Sequence, residues 1–348
     1  MAIQFNFVSS MLILVLLSIS SVKVQGGGWG GVVDVVAKFG AKAGDQQIEP
    51  LLDAWKEACA STSPSKIVIP KGIYFLRSAT LDGPYKVPIQ LQIKGTVKAP
   101  ADPELKISNC LAEEFSTARE PLLIKGKVAK VMIIVFHANV LGCKNITFER
   151  FTVSAPDESP NTDGIHIGRS DGVNVLNLEI KTGDDCVSIA DGSKNLVING
   201  KNYTMTNTSN GVRIKRPGAE PGTCLNIHFE DITVTNVNSP IIIDQKYFPW
   251  NKRKINVCTI YQNQSKVKLS NICFKNIHDT SARLEVVKII CSATLPCENV
   301  ELADVEITHS GPTGPAVSQC LNVKPKVSGK QNPAACSAPI PAKPTPTT

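Results

Sequence analysis

A short signature that recurs along the middle of the chain restricts the possible folds more than any other feature. It reads Lys144-Asn145-Ile146-Thr147-Phe148, Asp171-Gly172-Val173-Asn174-Val175, Lys194-Asn195-Leu196-Val197-Ile198, Leu225-Asn226-Ile227-His228-Phe229 and Glu298-Asn299-Val300-Glu301-Leu302. Each copy alternates apolar and polar residues with a period of two, and most follow a Gly, Cys or Asx turn. Most copies lie roughly 20 to 30 residues apart, the span of one coil of a β-solenoid, whose coils bury their apolar faces only against each other. A β-sandwich with strands of this length gives no reason for one signature to return. The expected fold is therefore all-β, a parallel β-helix.

A second strand repeats in step with the first. Asp163-Gly164-Ile165-His166-Ile167, Asp185-Cys186-Val187-Ser188-Ile189 and Asn210-Gly211-Val212-Arg213-Ile214 align without gaps, at offsets of 22 and 25 residues. Ile165, Val187 and Val212 then stack inward, as do Ile167, Ile189 and Ile214. His166, Ser188 and Arg213 form a column on the opposite face. Neighbouring strands lie ~4.8 Å apart, so Asp163 comes to rest beside Asp185, with Asp184 next to it. Carboxylates this close repel, and at least one should hold its proton to a higher pH than usual. One protonated and one ionised acid is the pair that glycoside hydrolysis requires. An oxygen-rich cluster of this kind is also a calcium-binding pattern.

Composition narrows the partners. Hydrophobic residues make up 42% of the chain and aromatic ones only 5%, so the core is built from Val, Ile and Leu. Residues 1–26 carry the apolar run Met11–Leu17 and read as a signal peptide, since the run is far shorter than the ~20 residues that span a membrane. Export makes the eleven cysteines disulfide candidates. Cys291 and Cys297 would close a short loop, and Cys320 and Cys336 would staple the C-terminal region. Sequons at Asn145, Asn202, Asn207 and Asn263 suit the same compartment. The net charge of +7 favours a polyanion. Export and the lack of a basic-aromatic run point to an acidic polysaccharide rather than nucleic acid, and no later segment suits a membrane. Gly26, Gly28 and Gly31 formally spell GxGxxG, but without a preceding strand they read as a leader, not a nucleotide site. Residues 50–60 should form a helix with Leu51, Leu52, Trp55 and Ala58 on one face, capping the solenoid at its N-terminal end. The β-helix domain is placed at 27–321, with a disordered Pro-rich tail at 322–348 and a monomeric state.

Asn161-Thr162-Asp163, Gly183-Asp184-Asp185 and Arg213-Ile214-Lys215 resemble three of the four signature motifs of glycoside hydrolase family 28, the polygalacturonases. The stretch Ser159–Gly168 and Asp191-Gly192 is similar to the plant pollen and exopolygalacturonase branch. The resemblance implies a right-handed parallel β-helix that hydrolyses α-1,4 bonds between galacturonic acid units with inversion, exo-acting and without a cofactor or metal. It implies Asp184 as general acid, Asp163 and Asp185 as holders of the attacking water, and Arg213, Lys215, Tyr247 and Asn161 as substrate-binding residues.

The fourth motif, Gly-His-Gly, does not occur, and no histidine lies between His166 and His228. About one coil is missing between the Asp184-Asp185 strand and the Arg213 strand, and a similar shortfall lies between Ala101 and His137. The family histidine would stand in the column of Asp163 and Asp185; Asn210 takes that place. Arg213 moves one strand closer to the acids, where its charge should lower their pKa values. By the same resemblance, Cys186 loses a disulfide partner, and Tyr85 and Phe248 stand where relatives carry cysteines. His166 and His137 read as cleft-lining or structural. Two functions follow: a polygalacturonase with reduced activity, or a non-catalytic pectin-binding protein that keeps the basic cleft.

Overall fold

The computed structural model describes residues 31–45, 49–75, 81, 85–98, 122–126, 138–150, 152–155, 163–215, 221–245 and 265–336. Among the described residues, helix is confined to the N-terminal end and the strands pair in parallel. A 13-stranded sheet, a 7-stranded sheet and a 2-stranded sheet run along the solenoid. Within the long sheet the main path runs from Gly31–Asp34 to Lys326–Asn332 in chain order, each coil adding one rung. The fold is the expected parallel β-helix.

The recurring signature is the corner and first inward strand of each coil. Its second residue has a left-handed backbone in every copy: Asn145, Asn195, Asn226 and Asn299 have φ between 51° and 56°, and Gly172 has φ 74°. Only Gly and, at modest cost, Asn enter this region readily, which explains why the signature uses those two. The asparagine amides are also joined from rung to rung. Asn195 Nδ2 donates to Asp171 Oδ1 at 2.6 Å, and Asn226 Nδ2 donates to Asn195 Oδ1 at 3.0 Å. Asn271 then donates to Asn226 at 2.9 Å, and Asn299 to Asn271 at 2.7 Å. Asn271 belongs to a further copy, Ser270–Phe274, that the sequence reading overlooked.

Third and fifth residues of the signature fill the interior. Ile146, Val173, Leu196, Ile227, Ile272 and Val300 form one buried column; Phe148, Val175, Ile198, Phe229, Phe274 and Leu302 form the next. Phe229 and Phe274 stack at 5.1 Å between ring centroids. Burial of each such side chain contributes about 1.5–3 kcal/mol, but only while the neighbouring rung covers it.

The helix Glu49–Ala60 sits over the first rungs, burying Leu51, Ala54, Trp55 and Ala58. Leu52 lies at its half-buried edge. A preceding short helix, Val35–Phe39, is capped by Asp34 Oδ1, which accepts from Val36 N and Ala37 N at 2.9 and 3.0 Å. At the far end the expectation of a loose tail from residue 322 fails. Lys326–Asn332 pairs with Glu298–His309 as a terminal rung, so the folded chain reaches residue 336. This strand is polar and exposed, which blunts the open sheet edge and hides it from a search for apolar alternation. Disulfides join Cys291 to Cys297 and Cys320 to Cys336, as the spacing suggested. Residues 1–26 and 337–348 lie outside the described residues.

Candidate active site

The site is built by three consecutive rungs of the 7-stranded sheet, Ile165–Gly168, Asp185–Ile189 and Asn210–Lys215. Their register is the one the sequence predicts. Ile165 opposes Val187 and Val187 opposes Val212; His166 opposes Ser188 and Ser188 opposes Arg213. Gly164 N donates to the Asp185 carbonyl at 2.8 Å. A Cβ on Gly164 would lie 2.6 Å from the Cys186 carbonyl oxygen, so only glycine permits this close approach of the two acidic segments. Asp163 is thereby set beside Asp185.

One carboxylate oxygen from each of Asp163, Asp184 and Asp185 lies within 4.8 Å of the other two. Asp163 is 1% exposed and Asp185 is 0% exposed, while Asp184 is half-buried. Lys215 Nζ bridges the two buried acids, 2.7 Å from Asp163 Oδ2 and 2.5 Å from Asp185 Oδ2. Arg213 Nη1 lies 3.2 Å from Asp185 Oδ1, and Asn210 Nδ2 donates to that oxygen at 2.7 Å. Asn210 therefore occupies the place beside Asp185 in the acidic column.

Burial, followed by the charge of Asp185, pushes the Asp163 carboxyl up to about 7, against the opposing pull of Lys215 and Ser188. Asp184 is raised for the same two reasons, against Lys215 and Arg213. Arg213 pulls Asp184 down, as expected, and Lys215 pulls both down, but desolvation and mutual repulsion outweigh them, so the crowded acids hold their protons to a higher pH. Burial would lower the Lys215 pKa, yet Asp185 and Asp163 together raise it, so the ammonium stays charged. Asp184, partly open to solvent and holding its proton above the ordinary carboxylate range, has the properties of a general acid.

His166 and Ser188 share the expected column with Arg213 and are linked by hydrogen bonds to each other and to Asp163. Ser188 Oγ donates to Asp163 Oδ2 at 2.5 Å, and His166 Nδ1 lies 2.6 Å from Ser188 Oγ. Burial and the charge of Lys215 hold His166 down at about 4, so its ring is neutral. Ser188 is fully buried, and no feature of the sequence marked it as a partner of Asp163. Cys186 is buried, its thiol 3.3 Å from Thr208 Oγ1 and unpaired with another cysteine. Tyr85 is buried. Asn161, Tyr247, His137 and Phe248 fall outside the described residues.

The three acids are spaced as ligands of a divalent ion would be. Here the Lys215 ammonium already supplies cationic charge between two of them. A second close group, His228, Glu230 and Cys273, lies on the long sheet, where His228 Nδ1 is 3.5 Å from Glu230 Oε1.

The family model for glycosyl hydrolases family 28 matches residues 124–203 and 196–336. A polygalacturonase of Gossypium hirsutum is 47% identical, with both chains covered completely. The chain belongs to glycosyl hydrolases family 28. An exopolygalacturonase of Oenothera organensis is 43% identical over 83% of this chain and 97% of its own length. Among solved structures, an endo-xylogalacturonan hydrolase of Aspergillus tubingensis aligns with a TM-score of 0.50 and 20% identity, covering 86% of this chain and 100% of the other. That likeness shows the shared fold.

The two family matches overlap at residues 196–203, within the stretch where the resemblance implies a missing coil. The alignment with the Gossypium hirsutum relative runs over 418 positions against the 348 residues here, so parts of that relative have no counterpart in this chain. That overlap falls within the long strand Lys194–Thr206, whose pairing with the next rung shifts register between Asn199 and Tyr203. The next strand of the site then pairs directly with the acidic one.

Proposed function

We propose that this chain is a polygalacturonase: a glycoside hydrolase that cleaves α-1,4-galacturonosyl bonds in pectin or polygalacturonate, from a chain end and with inversion. The observation that carries this reading is the convergence of Asp163, Asp184 and Asp185, with Asp184 both half-exposed and proton-retaining. Asp184 donates its proton to the leaving glycosidic oxygen. Asp163 and Asp185 hold the attacking water, and Asp163 takes its proton. Family membership and the full-length similarity to named polygalacturonases support the same substrate class. Arg213 and Lys215 supply the cations that a galacturonate carboxylate seeks, and Asn161 and Tyr247 are assigned to substrate binding on the family pattern.

The mature protein is read as secreted into the plant cell wall, monomeric and glycosylated. The two disulfides among the described residues belong to an oxidising compartment, and no helix among those residues is long and apolar enough to cross a membrane. Reducing-end release from polygalacturonate by the purified chain tests the activity. Release that disappears in Asp184→Asn is the expected result. Binding of polygalacturonate without release in the unaltered chain would establish the non-catalytic reading instead.

A further inference from the structure

His166, Ser188 and Asp163 form a hydrogen-bonded line that the hydrolytic step leaves unused. The His166 Nδ1 to Asp163 Oδ2 distance is 3.9 Å, too long for a direct hydrogen bond. The Ser188 hydroxyl closes the gap, at 2.6 Å from the ring and 2.5 Å from the carboxylate. Ser188 stands opposite His166 in register and is fully buried, which holds the link in place.

A hydroxyl has one proton to give, so the line runs in one direction at a time. While Asp163 is ionised it only accepts, so Ser188 donates to it and His166 Nδ1 must donate to Ser188. The neutral ring then carries its proton on Nδ1. Once Asp163 is protonated and donates to Ser188, the hydroxyl turns toward Nδ1; the 18% exposed ring loses its Nδ1 proton to bulk water and takes one on Nε2 from bulk water, with no net change in charge. The second arrangement is ready to discharge a proton outward, and discharge restores the first.

We propose that Ser188 and His166 are the proton exit of the catalytic base, carrying to solvent the proton that Asp163 takes from the attacking water. This rests on the polygalacturonase reading. In the hydrolytic step the water oxygen bonds to the anomeric carbon as the glycosidic bond breaks. One water proton passes to Asp163, and the Asp184 proton passes to the leaving oxygen. In recovery the Asp163 proton moves to Ser188 Oγ, the Ser188 proton moves to His166 Nδ1, and the Nε2 proton leaves to bulk water. Asp184 takes a proton from bulk water in turn, so the cycle closes.

Two of the groups around Asp163 leave this path open, while Asp184, within side-chain hydrogen-bond reach of Asp163, competes with it. Lys215, on the same carboxylate oxygen, has no lone pair to accept a proton. Asp185 faces Asp163 but is engaged by Lys215, Arg213 and Asn210. Asp184 is the competing acceptor, and direct return of the proton to it would leave Ser188 idle. Ser188 and His166 thus act through Asp163, positioning its proton.

Two measurements on the full chain decide the matter. In kinetics on polygalacturonate, Ser188→Ala and His166→Ala should each lower kcat by about tenfold or more, within the range of proton-transfer catalysis, with KM little changed. Added imidazole should restore kcat in His166→Ala, an effect that a structural role would not produce. Wild-type kcat in either variant, or a loss in folded His166→Ala without rescue, overturns the proposal. In 15N spectra of the unaltered protein, the His166 proton should move from Nε2 to Nδ1 as pH rises through about 7, the titration of Asp163. A tautomer that stays fixed overturns the relay. This second measurement needs no turnover and no variant, so it distinguishes failure of the relay from failure of the polygalacturonase reading.

Discussion

Replacing Lys215 with Met keeps most of the side-chain stem and removes the charge on which two buried carboxylates depend. The ammonium lies 2.7 Å from Asp163 and 2.5 Å from Asp185, and the lysine side chain is 20% exposed. At an effective dielectric of ~20, one contact of about 2.6 Å represents roughly 6 kcal/mol of attraction before desolvation is subtracted. Breaking a buried pair by removing one partner costs about 3–5 kcal/mol, and that is the loss expected at pH 8. The sign of its pH dependence follows from Asp163, whose pKa is about 7 folded against 3.8 for the free side chain. Lys215 pulls that value down, so the variant carries it higher still. A carboxyl raised on folding contributes stability that is present below its unfolded pKa and is lost as pH rises through the folded one. The variant's deficit should therefore grow only as pH rises through about 7, where the parent's Asp163 ionises and the variant's keeps its proton, by at most about 1.4 kcal/mol per pH unit. Calorimetric midpoints should differ by on the order of 10 °C at pH 8 and by about 3 °C less at pH 4. An equal loss at both pH values would assign the effect to packing of the lysine stem and refute the electrostatic account.

Three further outcomes are expected. Gly164→Ala places a Cβ 2.6 Å from the Cys186 carbonyl oxygen, so it should lower kcat while circular dichroism still reports β-structure; unchanged kcat would show that the acids tolerate a wider gap. Asn226→Ala removes both an amide donor and an acceptor from the asparagine ladder and leaves at φ 56° a residue that enters the left-handed region less readily than asparagine. It should cost about 2 kcal/mol and Asn226→Gly about half that, by the left-handed penalty and exposed hydrogen bonds, in thermal unfolding. Cys320→Ser opens the loop closed by Cys320 and Cys336. It should cost about 3 kcal/mol by loop entropy, and faster hydrogen exchange should appear in Lys326–Asn332.

The residue pattern exposed the inward columns because strand periodicity is two and the coils align without gaps; Ile165, Val187 and Val212 needed no further information. Two acids placed by the same alignment also came out where expected. The Ser270–Phe274 rung was missed because the chain between Asn226 and Asn271 is stretched to 45 residues, outside the usual coil length. The terminal strand Lys326–Asn332 was missed because it buries almost nothing, and its Val327 is 49% exposed. Ser188 was out of reach for a different reason. Alternation assigns a side chain to a face, but whether that face is open or roofed by neighbouring side chains depends on all three rungs together. The balance of the pKa shifts was out of reach in the same way: neighbouring acids and cations can be counted from sequence, whereas the depth of burial that decides between them cannot.

The coil loss that the family resemblance implies has unequal consequences for the fold and for the site. A rung pairs only with its two neighbours, so removing a whole one lets the flanking rungs join, and Asp185 pairs with Asn210 while Ser188 pairs with Arg213. The interior columns continue because Val187 meets Val212 and Ile189 meets Ile214, apolar residues on both sides of the junction. The site is a column of unlike residues, so its composition changes when one is removed. Asn210, a neutral amide, enters the position beside Asp185, and the two cations of the next rung close onto the acids. A substrate carboxylate must therefore compete with Asp163 and Asp185 for Lys215. Weak substrate binding that strengthens at acid pH, as Asp163 is protonated and releases its hold on the ammonium, follows directly from that competition. Measured KM for polygalacturonate should fall between pH 8 and pH 5, until the galacturonate groups themselves lose charge. A KM that is flat over this interval would mean that Lys215 leaves the acids without cost and does not bind substrate through its charge.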